Sequence, residues 1–173
     1  MGHTDDWLAL GAEKTLEPDL RICDPHHHLW DAGFDPSAKF RTEQVETRYL
    51  FHEMLAEVNS GHNVVSTVFI ECNAMYRKDG PRHLRPVGET EFVNGIAAMS
   101  ASGQYGDSRI AAGIVGLADL NLGADVKEVL EAHIAAGGGR FRGIRHAASW
   151  DASDEIRNSH TRPTEHMMAD ATF

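Results

Sequence analysis

The chain has 173 residues, 42% of them hydrophobic and 24% charged, which is enough to bury one ordinary globular core and leaves no compositional case for disorder. Its 26 acidic residues against 16 basic ones give a formal net charge of -10, the wrong balance for a chain whose main partner is nucleic acid or an anionic membrane surface. No apolar run approaches 18 residues and the N-terminus MGHTDDWLAL has no basic, apolar leader pattern, so the expectation is a cytoplasmic protein without a membrane span.

In chain order, residues 1–19 read as an N-terminal extension. Leu20 to Cys23 reads as a short strand running into Asp24-Pro25-His26-His27-His28, followed by a loop with Gly33 and Pro36 as breakers. Leu50, Met54 and Val58 recur every four residues, which predicts an amphipathic helix over about 43–59 that stops at Gly61. Val64 to Ile70 is β-branched and almost wholly apolar, as for a strand covered on both faces. A long loop covers 73–90, and such βα connections often shape substrate pockets. Phe92, Ile96 and Met99 predict a second helix, and Ile110 to Val115 a third strand. Asp125 and Glu128 have capping-box spacing ahead of a helix carrying Val126, Val129, Leu130, His133 and Ile134, closed by Gly137-Gly138-Gly139. Phe141 to His146 reads as a fourth strand, and Pro163 precedes an expected fourth helix from about Thr164. The cysteines Cys23 and Cys72 lie beside strand-like runs and read as buried free thiols.

Strand and helix alternate four times, which means an α/β fold with a parallel sheet and right-handed crossovers. That order alone does not separate a closed barrel from an open doubly wound sheet. A (β/α)8 barrel has eight such units in roughly 250 residues; four are counted here, and the period predicts about half a barrel in a single partial domain over 1–173.

Chemistry concentrates at the end of the first strand. Side chains alternate along a strand, so His26 and His28 point to one face and His27 to the other. Two imidazoles on one face can reach a single divalent ion at about 2.0–2.1 Å. Asp24 has the same parity and could orient a ring by accepting its N–H.

The Asp-x-His-x-His pattern of Asp24, His26 and His28, continued by Leu29-Trp30-Asp31, resembles the opening of the amidohydrolase superfamily, in the amidohydrolase-related branch that includes sugar lactonases and pyrone-dicarboxylate hydrolases. The runs Val68-Phe69-Ile70-Glu71-Cys72 and Arg142-Gly143-Ile144-Arg145-His146 resemble that branch's second and fourth strands, and the likeness spans roughly residues 20–150. It implies the N-terminal half of a TIM barrel, with His26 and His28 as ligands of a divalent metal, zinc or manganese, that some members do without. Members complete the site with histidines of strands five and six and an aspartate of strand eight that activates water. His160 and His166 do not match those positions, so the general base is unassigned. The implied reaction is opening of a lactone of a small carboxylated or sugar-derived substrate. Amide hydrolysis or decarboxylation of an aromatic acid on the same barrel, and a non-catalytic half-barrel that binds or self-associates, are the competing readings.

Two further residues are candidate substrate contacts. Arg145, at the end of the fourth strand, can meet a carboxylate with two parallel hydrogen bonds, or form a salt bridge at the rim. Glu71 ends the second strand and can serve in acid–base work if buried, or pair with an arginine. His146 has the opposite parity to Arg145, and Arg142 reads as a surface residue. His52, His62 and His133 read as surface or internally satisfied residues.

Overall fold

The computed structural model describes residues 9–31, 48–156 and 158–173. Its main sheet has four parallel strands, β1 (Arg21–His27), β4 (Asn63–Ile70), β5 (Arg109–Gly116) and β6 (Phe141–Ile144), adjacent in that order. A two-stranded antiparallel ribbon, β2 (Trp30–Asp31) with β3 (Arg48–Tyr49), sits beyond the end of β1. Helices α1 (Phe51–Val58), α2 (Val87–Ala101) and α3 (Val126–Ala136) fill the crossovers. The alternation read from the sequence is therefore present, and each new parallel strand is laid beside the last without a reversal of direction.

One face of the sheet carries the helices. Phe51, Met54 and Val58 of α1 and Val93 and Ala97 of α2 pack on Phe69, Ile110 and Ile114 in one buried cluster. Phe69 is wholly removed from solvent, a burial that contributes roughly 2–3 kcal/mol. On β4 only Thr67 and Phe69 are buried, while Val68 and Ile70 on the other face keep partial exposure.

His133 locks the third helix to this layer. Its Nε2–H donates to the Leu117 carbonyl at 2.9 Å and its Nδ1 accepts from the Thr90 hydroxyl at 2.8 Å, while the ring stacks on Phe141. Gly116 makes room for that ring: a Cβ there would lie 2.9 Å from His133 Cε1. His133 is thus the satisfied internal residue expected, and His52 and His62 are exposed.

Several local expectations change. Helix α1 starts at Phe51; residues 43–47 of its expected span lie outside the described residues. The Asp125 side chain makes no cap hydrogen bond on α3, because the backbone arrives through a 3-10 segment (Leu120–Asp125) that leaves Asp125 already helical. No helix forms from Thr164: Arg162 and His166 adopt left-handed backbone angles of 55° and 59°, and one 3-10 turn at Met167–Ala169 is all that remains. Cys23 is exposed, since it lies on the uncovered face of edge strand β1, while Cys72 is half-buried. No helix among the described residues is long and apolar enough to cross a membrane.

A buried polar junction joins β1, β4 and β5. Between Ser66 and Val68 of β4, strand β5 advances from Arg109 to Gly113, so β5 bulges, and buried Ala111 takes a left-handed φ of 52°. Its N–H is thereby turned to the Thr67 hydroxyl, 2.8 Å away, and that hydroxyl donates in turn to His27 Nε2 at 2.9 Å. Thr67→Val keeps the volume and orphans both partners. The expected cost is about 2–4 kcal/mol, because each buried group left unsatisfied costs roughly 1–3 kcal/mol; urea unfolding of the variant against wild type measures it.

Candidate functional site

The carboxyl ends of the four parallel strands form one edge of the molecule, and the candidate residues gather there. On β1, Pro25 falls where the register with β4 slips, from Asp24↔Thr67 to His27↔Phe69. A residue without an N–H is tolerated at such an irregularity. Asp24 does not orient an imidazole; its Oδ1 accepts the backbone N–H of His26 at 3.0 Å and stiffens the turn into the histidine run.

The three histidines then divide as their parity requires. His27 is 7% exposed and faces Thr67 and Phe69 on the helix side, and burial pushes its pKa down to about 4, so it is neutral. His26 and His28 turn to the other side, where their Nε2 atoms are 3.3 Å apart. His28 Nδ1 lies 2.7 Å from the Ile70 carbonyl at the end of β4. A carbonyl can only accept, so the proton is on Nδ1 and the Nε2 lone pair points at His26. Burial, ahead of the His26 and Arg145 charges, lowers the pKa of His28, with the Ile70 carbonyl opposing it. Trp30 of the small ribbon stacks on the His28 ring with centroids 5.5 Å apart.

This arrangement fits a metal ion in two respects. Two ligand nitrogens at about 2.0–2.1 Å from a tetrahedral ion are separated by about 3.3–3.4 Å, the spacing of the two Nε2 atoms. An imidazole whose second nitrogen donates to a backbone carbonyl is also the usual state of a ligating histidine. Among the described residues no third His, Cys, Asp or Glu joins the pair to form a three-ligand group.

Glu71 and Arg145, taken separately from the sequence, meet each other. The Glu71 side chain is fully buried; Arg145 Nε donates to its Oε1 at 2.7 Å and the guanidinium also bonds the Glu71 carbonyl oxygen. His160 brings Nε2 within 3.3 Å of Oε2, an ion-pair distance without hydrogen-bond alignment, so Oε2 has no hydrogen-bond donor among the described residues. Burial alone would raise the Glu71 pKa, but His160 and Arg145 together hold it below the ordinary carboxylate value. Glu71 is therefore an anion that fixes Arg145 at the rim. His146 uses Nδ1 to accept the Leu120 N–H at 3.0 Å, and Arg142 is exposed.

Sequence reasoning missed Glu89 and His160. Glu89 sits in the first turn of α2, 1% exposed, where its Oε1 accepts the N–H groups of Ala74 at 2.7 Å and Cys72 at 3.1 Å. It thereby fastens the start of the loop that follows β4. Gly88 beside it is needed for the close approach: a Cβ would lie 2.7 Å from both Arg77 N and the Met75 carbonyl oxygen. The signal for Glu89 was a carboxylate in a helix first turn directly after Pro86; nothing local marks His160, whose partner is 89 positions away.

No family model and no solved structure matches the chain. It is 30% identical over 142 residues to the "Uncharacterized protein y4mH" of Sinorhizobium fredii (strain NBRC 101917 / NGR234), a match covering 76% of this chain and 41% of that protein. The chain thus spans less than half the length of this relative.

Burial raises the Glu89 pKa to about 7 against the opposing Ala74 and Cys72 N–H bonds, with the Glu71 charge adding to the rise. A carboxyl whose folded pKa is raised contributes stability that is complete below its unfolded value near 4.5 and is lost as pH rises through about 7. Glu89→Gln keeps an acceptor for both N–H groups and cannot ionise. The variant should match wild type at pH 4 and exceed it at pH 8 by on the order of 1–3 kcal/mol, read from urea midpoints at the two pH values.

Proposed function

We propose that this chain forms the first four βα units of a TIM-barrel hydrolase of the amidohydrolase-related kind, and that the barrel opens a lactone of a small carboxylated or sugar-derived substrate. The observation that carries the reading is the His26–His28 pair, with Nε2 atoms 3.3 Å apart and His28 Nδ1 bonded to the Ile70 carbonyl. It lies at the carboxyl end of a parallel strand, where barrel enzymes build their sites.

The topology supports the same reading. A doubly wound sheet reverses strand order at a switch point and puts helices on both faces. Here β1, β4, β5 and β6 follow one another in one direction, with the packed helices on one face. This arrangement favours a barrel wall over a doubly wound sheet.

His26 and His28 would hold zinc or manganese, with imidazole ligands favouring zinc. When bound, the ion supplies Lewis-acid polarisation of the ester carbonyl and a water of lowered pKa. The chain's own residues do the rest of what can be assigned. Ile70 keeps the His28 Nε2 lone pair free by taking the Nδ1 proton. Trp30 covers one face of that ring and narrows water access to it. Glu71 holds Arg145 by its Nε side, so that the remaining guanidinium edge can meet a substrate carboxylate.

Zinc titration by calorimetry should give saturable binding that His26→Asn and His28→Asn each weaken at least about tenfold. The complete barrel, offered a lactone panel with a pH indicator, should show zinc-dependent acid release that both substitutions abolish. Zinc binding untouched by either substitution removes the metal site, and no turnover on any lactone at high enzyme concentration removes the lactonase reading.

A further inference from the structure

The carboxyl edge of the sheet also holds a cleft that the histidine pair does not line. It has a volume of about 720 Å³ and is walled by the loop after β4, the segment after β5, His146 and the C-terminal tail. Arg82, Arg85 and Arg162 bring three guanidinium groups to it, and Asp119 is the single carboxylate among its lining residues. That carboxylate is already engaged, its Oδ1 accepting from the backbone N–H and the side-chain amide of Asn121.

Charge makes this cleft unusual for the molecule. The chain carries ten more acidic than basic residues, yet three of its arginines line this one concave surface against a single carboxylate; Arg77, Lys127 and Arg145, by contrast, pair with Glu91, Glu131 and Glu71. None of the three cleft arginines reaches a carboxylate at ion-pair distance among the described residues; Arg85 has only a long 3.4 Å bond from Nε to the Gly80 carbonyl. Three neighbouring guanidinium groups repel one another, and a concave wall raises the potential they share. A ligand with complementary negative charge relieves both.

The walls are fixed in place. Arg82 opens and Arg85 ends the 3-10 turn that leads directly into α2, and the Arg85 carbonyl accepts the Arg77 N–H at 3.0 Å. Opposite them, Arg162 is held in a left-handed conformation by its own N–H bond to the Ser159 carbonyl and by the neighbouring Thr161 hydroxyl on the Ala147 carbonyl. A non-glycine residue in that region is uncommon, and its backbone cost is met by the surrounding bonds.

We propose that this cleft binds a small polyanion, a molecule with at least two carboxylate or phosphate groups, through Arg82, Arg85 and Arg162. Guanidinium forks suit both oxyanions by bidentate hydrogen bonding. As the anchor for the charged end of a substrate, the cleft rests on the hydrolase reading above; as a binding site it does not, since none of its residues is His26 or His28.

The test is calorimetry on the metal-free full chain, with citrate in one arm and inorganic pyrophosphate in the other. Wild type should bind at least one of them with Kd of about 1 mM or below, more weakly as salt is raised. The double variant R82Q/R162Q should lose at least about tenfold in affinity at unchanged Tm, because both side chains are exposed and unpaired. Arg109→Gln, a charge loss at the amino end of β5, should change nothing. Binding of citrate alone assigns carboxylates, of pyrophosphate alone phosphates, and of both a general oxyanion site. No binding in wild type, undiminished binding in R82Q/R162Q, or an equal loss in Arg109→Gln overturns the proposal. His26→Asn and His28→Asn should leave these affinities intact, so a failed metal site and a failed anion cleft give different patterns.

Discussion

The carboxylate of Glu71 holds the functional edge together. Its backbone N–H continues the sheet by donating to the Val115 carbonyl, its Oε1 accepts Arg145 from beyond β6, and its Oε2 faces His160 of the tail. Three strand ends and a segment with no regular structure of its own are tied to one buried anion. A buried charge is tolerable only with such partners. Arg145 and His160 therefore have a structural role, whatever else they contact. Next to Glu71 in the chain, the Ile70 carbonyl fixes the His28 ring, so a single dipeptide at the end of β4 orders both the imidazole pair and the rim arginine.

Glu89 extends this order outward. It accepts the N–H groups of Cys72 and Ala74, which follow immediately, and its neighbour Gly88 lets the loop lie against the start of α2. Two carboxylates, one ionised and one driven toward neutrality by burial, thus stand behind the same short stretch of chain. Their environments differ because Glu71 is given the Arg145 guanidinium and Glu89 is given only backbone dipoles.

The parts of the fold legible in the sequence were those written in local periodicity. The apolar run of β4, the four-residue spacing in α1 and the alternation of element types each depend on near neighbours. The parity of His26, His27 and His28 could be read for the same reason. What escaped was decided at long range. Pro163 and the sequence after it permit a helix, yet His166 and Arg162 are held in left-handed turns by bonds within the tail. Cys23 has the neighbours of a buried strand residue and is exposed because β1 is the last strand of its sheet on that side. The pairing of Glu71 with Arg145 was open to sequence reasoning only as a general option, since 74 positions separate them; the direction in which successive strands are added was not available at all.

Among the described residues the ribbon of β2 and β3 pairs Trp30 with Tyr49 and Asp31 with Arg48. A two-stranded ribbon on its own is marginal in water and depends on what it leans on. Its opening free energy should fall well below that of the main sheet, so the amides of Trp30 and Tyr49 should exchange with solvent far sooner than those of β4. Each opening withdraws the indole from His28 while the Ile70 bond to its far side persists. The ring would then be uncovered without being released, and the rate at which anything reaches its Nε2 would be set by local breathing of the ribbon rather than by unfolding of the domain.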